Sequence, residues 1–315
     1  MVILAYNAVN IKPAYLFWQI DVSGETSEVF RTSEVYRRLV MDDFQFSQAS
    51  LQAYSDCPRR FYLRYARQLV WPAIEAEPAL EHERRMQAGR DFHRLIQQQV
   101  LGIPEARLAR LAGADEALAR WWQNYLDARP ADFAGRRYPE LTLSTTVAGC
   151  RLVAKYDLVI VTPEGRAVIF DWKTTEKLPS RRRLFERWQT RVYRFVLVRA
   201  GAHLNGGQPL RPEQVEMVYW FAEHPESPVR FPYDGTQAAA DGEQLTALIA
   251  EIRACDAEAD FPLTDDERRC RYCPYRSLCD RGQEAGTLDA REDETETGAL
   301  NDFDLDFDQV AEIEF

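Results

Sequence analysis

The residues with the clearest chemical potential lie between Val153 and Lys173, in the stretch VAKYDLVIVTPEGRAVIFDWK. Two segments rich in Val, Ile and Phe flank Thr162-Pro163-Glu164-Gly165. Pro at the second of these positions and Gly at the fourth suit a type I turn closed by a left-handed residue. With Thr162 and Arg166 flanking such a loop, counting back along both strands sets Asp157 opposite Asp171 and Lys155 opposite Lys173. Facing residues of an antiparallel pair share a sheet face, and alternation adds Lys173 to the face of Asp171, together with Val159, Val161 and Ile169. Two carboxylates and a lysine therefore converge in strands otherwise built for burial. Desolvating such charges without a partner is costly, so a divalent cation is their natural complement.

The elements around the hairpin follow from period and punctuation. Glu140–Val147 alternates as a strand and ends in a Gly149 turn; Gln214–Ala222 reads as another strand. Between them, Ser180–Ala200 reads as one basic helix. Leu184, Trp188, Val192 and Phe195 form its buried stripe, and Arg181, Arg182, Arg183, Arg187, Arg191 and Arg194 lie outside it. A further helix spans Gly242–Cys255. Upstream, Ser47 or Ser50 caps a helix that Pro58 should split in two around Cys57. The region from Glu75 to about Pro130 is helical. Within it, Glu81–Val100 carries Met86, His93, Ile96 and Val100 at helical spacing, with Gly89 one turn before His93. A lone histidine on an apolar helix face is more often packed core than ligand. Leu111–Leu126 reads as an amphipathic helix whose Trp121 and Trp122 serve the core. The order strand, strand, strand, helix, strand indicates an α/β core with a small mixed sheet.

Four of the six cysteines have a pattern. Cys270, Cys273 and Cys279 form C-x2-C-x5-C, and Cys57, followed by Pro58, stands far upstream. With no secretory leader or membrane span in the sequence, a cytoplasmic location is the default, and such spacing favours a metal or cluster over disulfides. Cys150 and Cys255 read as buried apolar cysteines. The net charge of −11 is unevenly distributed. From Arg281 onward twelve acids face two arginines, so residues 1–280 carry a net charge of only −1. The run from Gln283 is expected to be disordered, either solubilising or a partner-binding or nucleic-acid-mimicking tail. Residues 1–40 read as an N-terminal extension.

Asp157 with Asp171-Trp172-Lys173 resembles the motif of the PD-(D/E)XK nuclease superfamily, whose core is the same α-β-β-β-α-β succession. Gly89–His93 resembles the GxxxH helix of RecB-type nucleases, and Gln189–Tyr193 the QxxxY motif that follows the active-site lysine there. Cys57-Pro58 with Cys270, Cys273-Pro274-Tyr275-Arg276 and Cys279 looks like the iron-sulfur staple of AddB and of CRISPR-associated iron-sulfur exonucleases. The resemblance covers about Phe46 to Arg281. It implies a restriction-endonuclease-like nuclease domain over 41–281, with a helical insertion over 72–130, a cluster-binding segment over 259–281 and a disordered tail over 282–315.

The resemblance also implies roles. Asp157, Asp171, the Trp172 carbonyl and His93 would bind Mg²⁺ or Mn²⁺. Lys173 would position and help deprotonate the attacking water, and Gln189 and Tyr193 would orient site groups or DNA, with arginines of that helix on phosphates. Cys57, Cys270, Cys273 and Cys279 would hold a [4Fe-4S] cluster, with zinc as the alternative for the same spacing. Glu140 is a candidate outer-shell or additional acidic ligand. The family often has a glycine near the first aspartate, whereas Ala154-Lys155-Tyr156 precedes Asp157 here. That leaves Lys155 either on the scissile strand's phosphate or neutralising the carboxylates. The function implied is a metal-dependent DNA nuclease, an exonuclease on single strands or ends, in repair, recombination or CRISPR adaptation. The competing reading is a cluster-stabilised DNA-binding or assembly subunit with little or no nuclease activity, recruiting a repair or CRISPR-adaptation partner through its acidic tail. No G-x-x-x-x-G-K-[ST] loop occurs, so any helicase motor is a separate partner.

Overall fold

A computed structural model describes residues 44–69, 77–129, 134–271 and 273–282. The N-terminal extension over 1–40 and the acidic run from Gln283 lie outside these residues. The chain starts with a two-residue strand β1 (Phe46–Ser47) and helix α1 (Gln48–Asp56). Ser47 is the cap: its hydroxyl accepts from the Ser50 amide at 3.3 Å while Ser50 Oγ accepts from the Ser47 amide at 2.9 Å. This reciprocal box satisfies two donors that a helix start leaves unpaired. Cys57 is extended at φ −164°, and Pro58 opens α2 (Pro58–Phe61), the split expected of a proline at a first helical turn.

Helices α3 (Glu77–Val100), α4 (Glu105–Ala112) and α5 (Glu116–Ala128) follow. The helix expected over Leu111–Leu126 is broken, because Gly113 ends α4 and Asp115 caps α5 by accepting from the Leu118 amide at 2.9 Å. Then come β2 (Arg136–Val147), β3 (Cys150–Val161), β4 (Ala167–Lys173), α6 (Arg181–Glu186), α7 (Trp188–Ala200), β5 (Val215–Phe221), β6 (His224–Pro232) and α8 (Gly235–Arg253). The single basic helix expected over 180–200 is two, because Arg187 is extended at φ −67°, ψ 140°. Strand β6 escaped the sequence reading because HPESPVRFP carries three prolines. Among the described residues it pairs only with β5, as a proline-bearing edge strand can.

The six strands form one mixed sheet in the order β1-β3-β4-β5-β6, with β2 on the other flank of β3. The β3–β4 register is the expected one: Leu158 pairs Phe170 and Val161 pairs Ala167. The loop closes through Thr162 N–H to the Arg166 carbonyl at 2.8 Å, with Gly165 at φ +78°. One face packs Val159, Ile169, Met217 and Tyr219 against α1, α7 and α8. The other packs Leu158, Ile160, Phe170, Trp172 and Trp220 against Phe92, Ile96, Trp121, Trp122 and Tyr125 of α3 and α5. The helical region before the sheet is thus a full covering layer, and its tryptophans are core. Cys150 is buried, and Cys255 sits half-buried at the rim of the first core. No helix among the described residues is long and apolar enough to cross a membrane.

Alternation fails at one point. Ala154 and Tyr156 face the α7 side, whereas Leu158 and Ile160 face the α3 side, so β3 changes hand at Asp157. Its neighbour β2 changes with it: Tyr138 and Leu141 both pack on the α7 side, and Glu140 between them has φ +52°. A non-glycine residue at such a φ inside a strand marks a bulge-like break. The same residue ends the pairing with β4, whose place beside the start of β3 is taken by β1 at Leu152 and Val153. Lys155 is consequently turned away from Lys173, contrary to simple alternation. Its ammonium pairs with Glu140 at 2.9 Å.

Candidate functional site

The site occupies the fork where β3 and β4 part. Asp157, at the break in β3, accepts from the Trp172 amide at 2.9 Å through Oδ2. A side chain thereby replaces the backbone acceptor that the ladder would have offered. Its Oδ1 lies 3.2 Å from Nδ1 of His93 on α3. Asp171 and Lys173 project to the α7 side, 2% and 2% exposed, with Nζ and Oδ2 2.7 Å apart. The ion pair lies off the direction of a hydrogen bond, and Oδ2 has no hydrogen-bond partner. Oδ1 accepts from Gln189 Nε2 at 2.6 Å. Tyr193, one turn on, is buried; its ring lies 4.9 Å from that of Tyr156, whose hydroxyl donates to the Tyr193 carbonyl at 2.9 Å.

The charges shape one another. Burial raises the Asp171 carboxyl to about 6, aided by the nearby Asp157 charge and opposed by Lys173 and His93. Burial acts the same way on Asp157, but His93, Lys173 and the Trp172 amide outweigh it and hold that carboxyl below its ordinary value. His93 is desolvated too, which disfavours its cation, yet Asp157 and Asp171 raise its value overall. Burial pushes the Tyr193 hydroxyl well up, so it acts as a neutral hydrogen-bonding group.

Asp157, Asp171, Lys173, His93, Gln189, Tyr193 and the Trp172 amide are therefore gathered in one place from β3, β4, α3 and α7. Lys155 and Glu140 form a separate pair beside it. Arg187 and Arg194, expected outside the buried stripe, are 6% and 1% exposed. Arg194 donates to the Thr190 and Pro232 carbonyls at 2.8 and 3.0 Å and lies 4.4 Å over the Tyr233 ring. It anchors α7 and is closed to solvent. Sequence reasoning missed Tyr219, which pairs with Asp171 across β4–β5 and reaches Gln189 Oε1 at 3.4 Å and Thr190 Oγ1 at 2.8 Å. Nothing in VEMVYWF separates that hydroxyl from an ordinary core tyrosine.

Two carboxylates and an imidazole suit a hard divalent cation. The buried Nε2 of His93 has no hydrogen-bond partner and is a free donor atom for one, whereas Oδ2 of Asp171 is held by the Lys173 ion pair. As the side chains stand, no three His, Cys, Asp or Glu groups among the described residues converge to hold an ion. Lys173 and His93 instead offset the acids.

Cys57 comes near Cys270, Cys273 and Cys279 from the other end of the described chain, although no three of these thiols converge as a set of metal ligands. Each of the last three feels the charge of Cys57, and burial pushes the Cys273 thiol up to about 11. The ends meet through other contacts as well. Arg59 N–H and Nε donate to the Pro262 and Phe261 carbonyls at 3.2 and 2.8 Å, Phe261 stacks on Phe61 and Tyr62, and Tyr275 donates to the Leu69 carbonyl at 2.8 Å.

The family model of the PD-(D/E)XK nuclease superfamily matches residues 45–280. The chain belongs to the PD-(D/E)XK nuclease superfamily. Among solved structures, a Eubacterium rectale protein provisionally described as an exonuclease aligns over 75% of this chain and 88% of its own, at 10% identity and TM-score 0.41. The protein SSO0001 aligns over 80% and 95%, at 13% identity and TM-score 0.32. No curated protein sequence matches the chain significantly. Within the superfamily, the fork between β3 and β4 occupies the middle of the matched region.

Proposed function

We propose that this superfamily member is a divalent-metal-dependent deoxyribonuclease that degrades single strands or DNA ends, serving repair, recombination or CRISPR adaptation. The observation that carries the reading is the union of Asp157, Asp171, Lys173 and His93 at a buried fork of the sheet, because two acids and a lysine are costly to bury for structure alone.

In this reading Asp157, Asp171, His93 and the Trp172 carbonyl would hold Mg²⁺ or Mn²⁺. The cation, when bound, supplies Lewis acidity to the phosphoryl oxygens and the leaving oxygen. Lys173 would position the attacking water and, as a cation, help it give up its proton to solvent while the oxygen approaches phosphorus; the phosphodiester P–O bond breaks and the leaving oxygen takes a proton from water. Gln189 fixes the Asp171 carboxylate through Oδ1, and Tyr219 and Tyr193 in turn fix Gln189. The four cysteines take a [4Fe-4S] cluster, for which their thiolate set is suited, and zinc is the competing occupant.

The test is digestion of end-labelled linear and circular DNA, single- and double-stranded, with Mg²⁺ or Mn²⁺. The expected result is shortening of linear strands, sparing of circles and complete inhibition by a chelator. Intact DNA under every condition, with the cluster loaded, would overturn the proposal in favour of a binding subunit.

A further inference from the structure

A cavity of about 390 Å³ opens beside the site but outside it, between α1, α2, α6 and the segment that leads into Cys270. Five guanidinium groups line it: Arg60, Arg183, Arg187, Arg268 and Arg269. Only three carboxylates do, Asp56, Glu186 and Asp266, so the wall carries a net charge of +2. Two of the acids are shared. Asp56 pairs with both Arg60, at 2.7 Å, and Arg269. Asp266 pairs with Arg268 at 2.7 Å and Arg269 at 3.6 Å. Arg60 Nε is buried without a hydrogen-bond partner. A concave wall with surplus guanidinium charge concentrates anions, and planar forks of N–H donors match phosphate oxygens in pairs.

The cavity is also tied to the nuclease site. Arg187 is the residue at which α6 gives way to α7, and Gln189, on Asp171, follows two residues later, about 3 Å of helix rise. Gln52, on the cavity wall, accepts from the Trp188 amide at 3.2 Å. An anion seated here is held by the same helix start that braces Asp171.

From this placement we infer that the cavity is a phosphate subsite that grips the nucleic-acid strand next to the scissile bond. The inference rests on the nuclease reading for the identity of the strand. The ligand is a phosphate of that strand, either a backbone diester or a terminal phosphate. The subsite links the cysteine segment to the reaction: Arg268 and Arg269 immediately precede Cys270, so whatever orders that segment orders two of the five arginines.

The experiment measures anisotropy of a fluorescein-labelled single-stranded oligonucleotide on the full chain without divalent cation, across a salt series. The Arg183→Gln/Arg268→Gln variant is expected to weaken binding at least tenfold and to flatten the log–log salt slope by about 1.4, at about 0.7 per lost phosphate contact on a single strand. Glu186→Gln removes an acid from the wall and is expected to tighten binding, which keeps the test decisive if the double variant folds poorly. Oligonucleotides with and without a 5′-phosphate separate the sources: a terminal-phosphate subsite loses affinity for the 5′-hydroxyl form, and a backbone subsite does not distinguish them. Unchanged affinity and slope in the double variant, or no tightening in Glu186→Gln, would overturn the inference. Hydrolysis of bis(p-nitrophenyl) phosphate by wild type, a diester too small to span both places, reads the nuclease centre alone. If wild type cleaves neither this diester nor DNA, the nuclease reading fails while the anisotropy result still stands or falls independently.

Discussion

Gln189 on α7 donates from Nε2 to Oδ1 of Asp171 on β4 at 2.6 Å, with both side chains buried. The bond ties the helix that follows the hairpin to the acid within it, and Tyr219 holds the other end of the amide. Groups that orient a ligating carboxylate typically contribute about 10- to 100-fold in affinity or rate. Gln189→Ala is therefore expected to lower kcat by that range, whereas Tyr219→Phe, losing one neutral hydrogen bond of about 1 kcal/mol, lowers it about fivefold. Steady-state kinetics on a labelled strand checks both, and an unchanged kcat in Gln189→Ala contradicts the positioning role.

Asp171→Ala and Lys173→Ala should each reduce cleavage roughly 10²- to 10⁴-fold. DNA binding should persist, because neither group belongs to the arginine wall. Cleavage at wild-type rates in either variant would remove the catalytic assignment.

Protonation of Asp171 governs the response to cations. Its folded value of about 6 lies above the unfolded 3.8, so the folded chain retains a proton that the unfolded chain releases between those values. The stability linked to that proton is complete below about 3.8 and is lost as pH rises to about 6. A divalent cation bound as proposed would compete for the same oxygens and would have to expel the proton. Mg²⁺ or Mn²⁺ is thus expected to raise Tm more at pH 7.5 than at pH 5, and nuclease activity to climb through about pH 6. Equal shifts in Tm at the two pH values would show that Asp171 is not a ligand.

Arg194 is closed in beneath α7 with Asp241, 3.9 Å away, and Gln237 at 3.1 Å. Removing one partner of a buried pair strands the other, at a cost of about 3–5 kcal/mol. Arg194→Ala should lose about that much in chemical denaturation, with no change in the salt dependence of DNA binding. A reduced salt slope would instead mean that the guanidinium reaches phosphate.

Anaerobically purified protein is expected to be brown, with visible charge-transfer absorbance that Cys57→Ser and Cys273→Ser abolish along with a fall in Tm. A colourless, zinc-loaded and active preparation would exclude the iron assignment.

Local sequence determined much of this molecule by itself. The turn chemistry of Pro163 and Gly165 set the β3–β4 register, and so brought Asp157 to Asp171, because a hairpin's register depends only on its loop. Ser47, Cys57 and Pro58 set a cap and a break through interactions within a few residues. The tertiary structure decided the remainder. Lys155 turned to Glu140 because β2 and β3 change face together at Glu140 and Asp157, an event in two strands that neither strand's pattern records. Arg194 became an interior group because β6 and α8 opposite it supplied a carbonyl and an acid. Tyr219 reached the site only because β5 pairs in parallel with β4 after a helical crossover, setting it beside Asp171. Short-range geometry is written in neighbouring residues. Which charges lie inside depends on partners dozens of residues away, where no spacing in the chain reveals them.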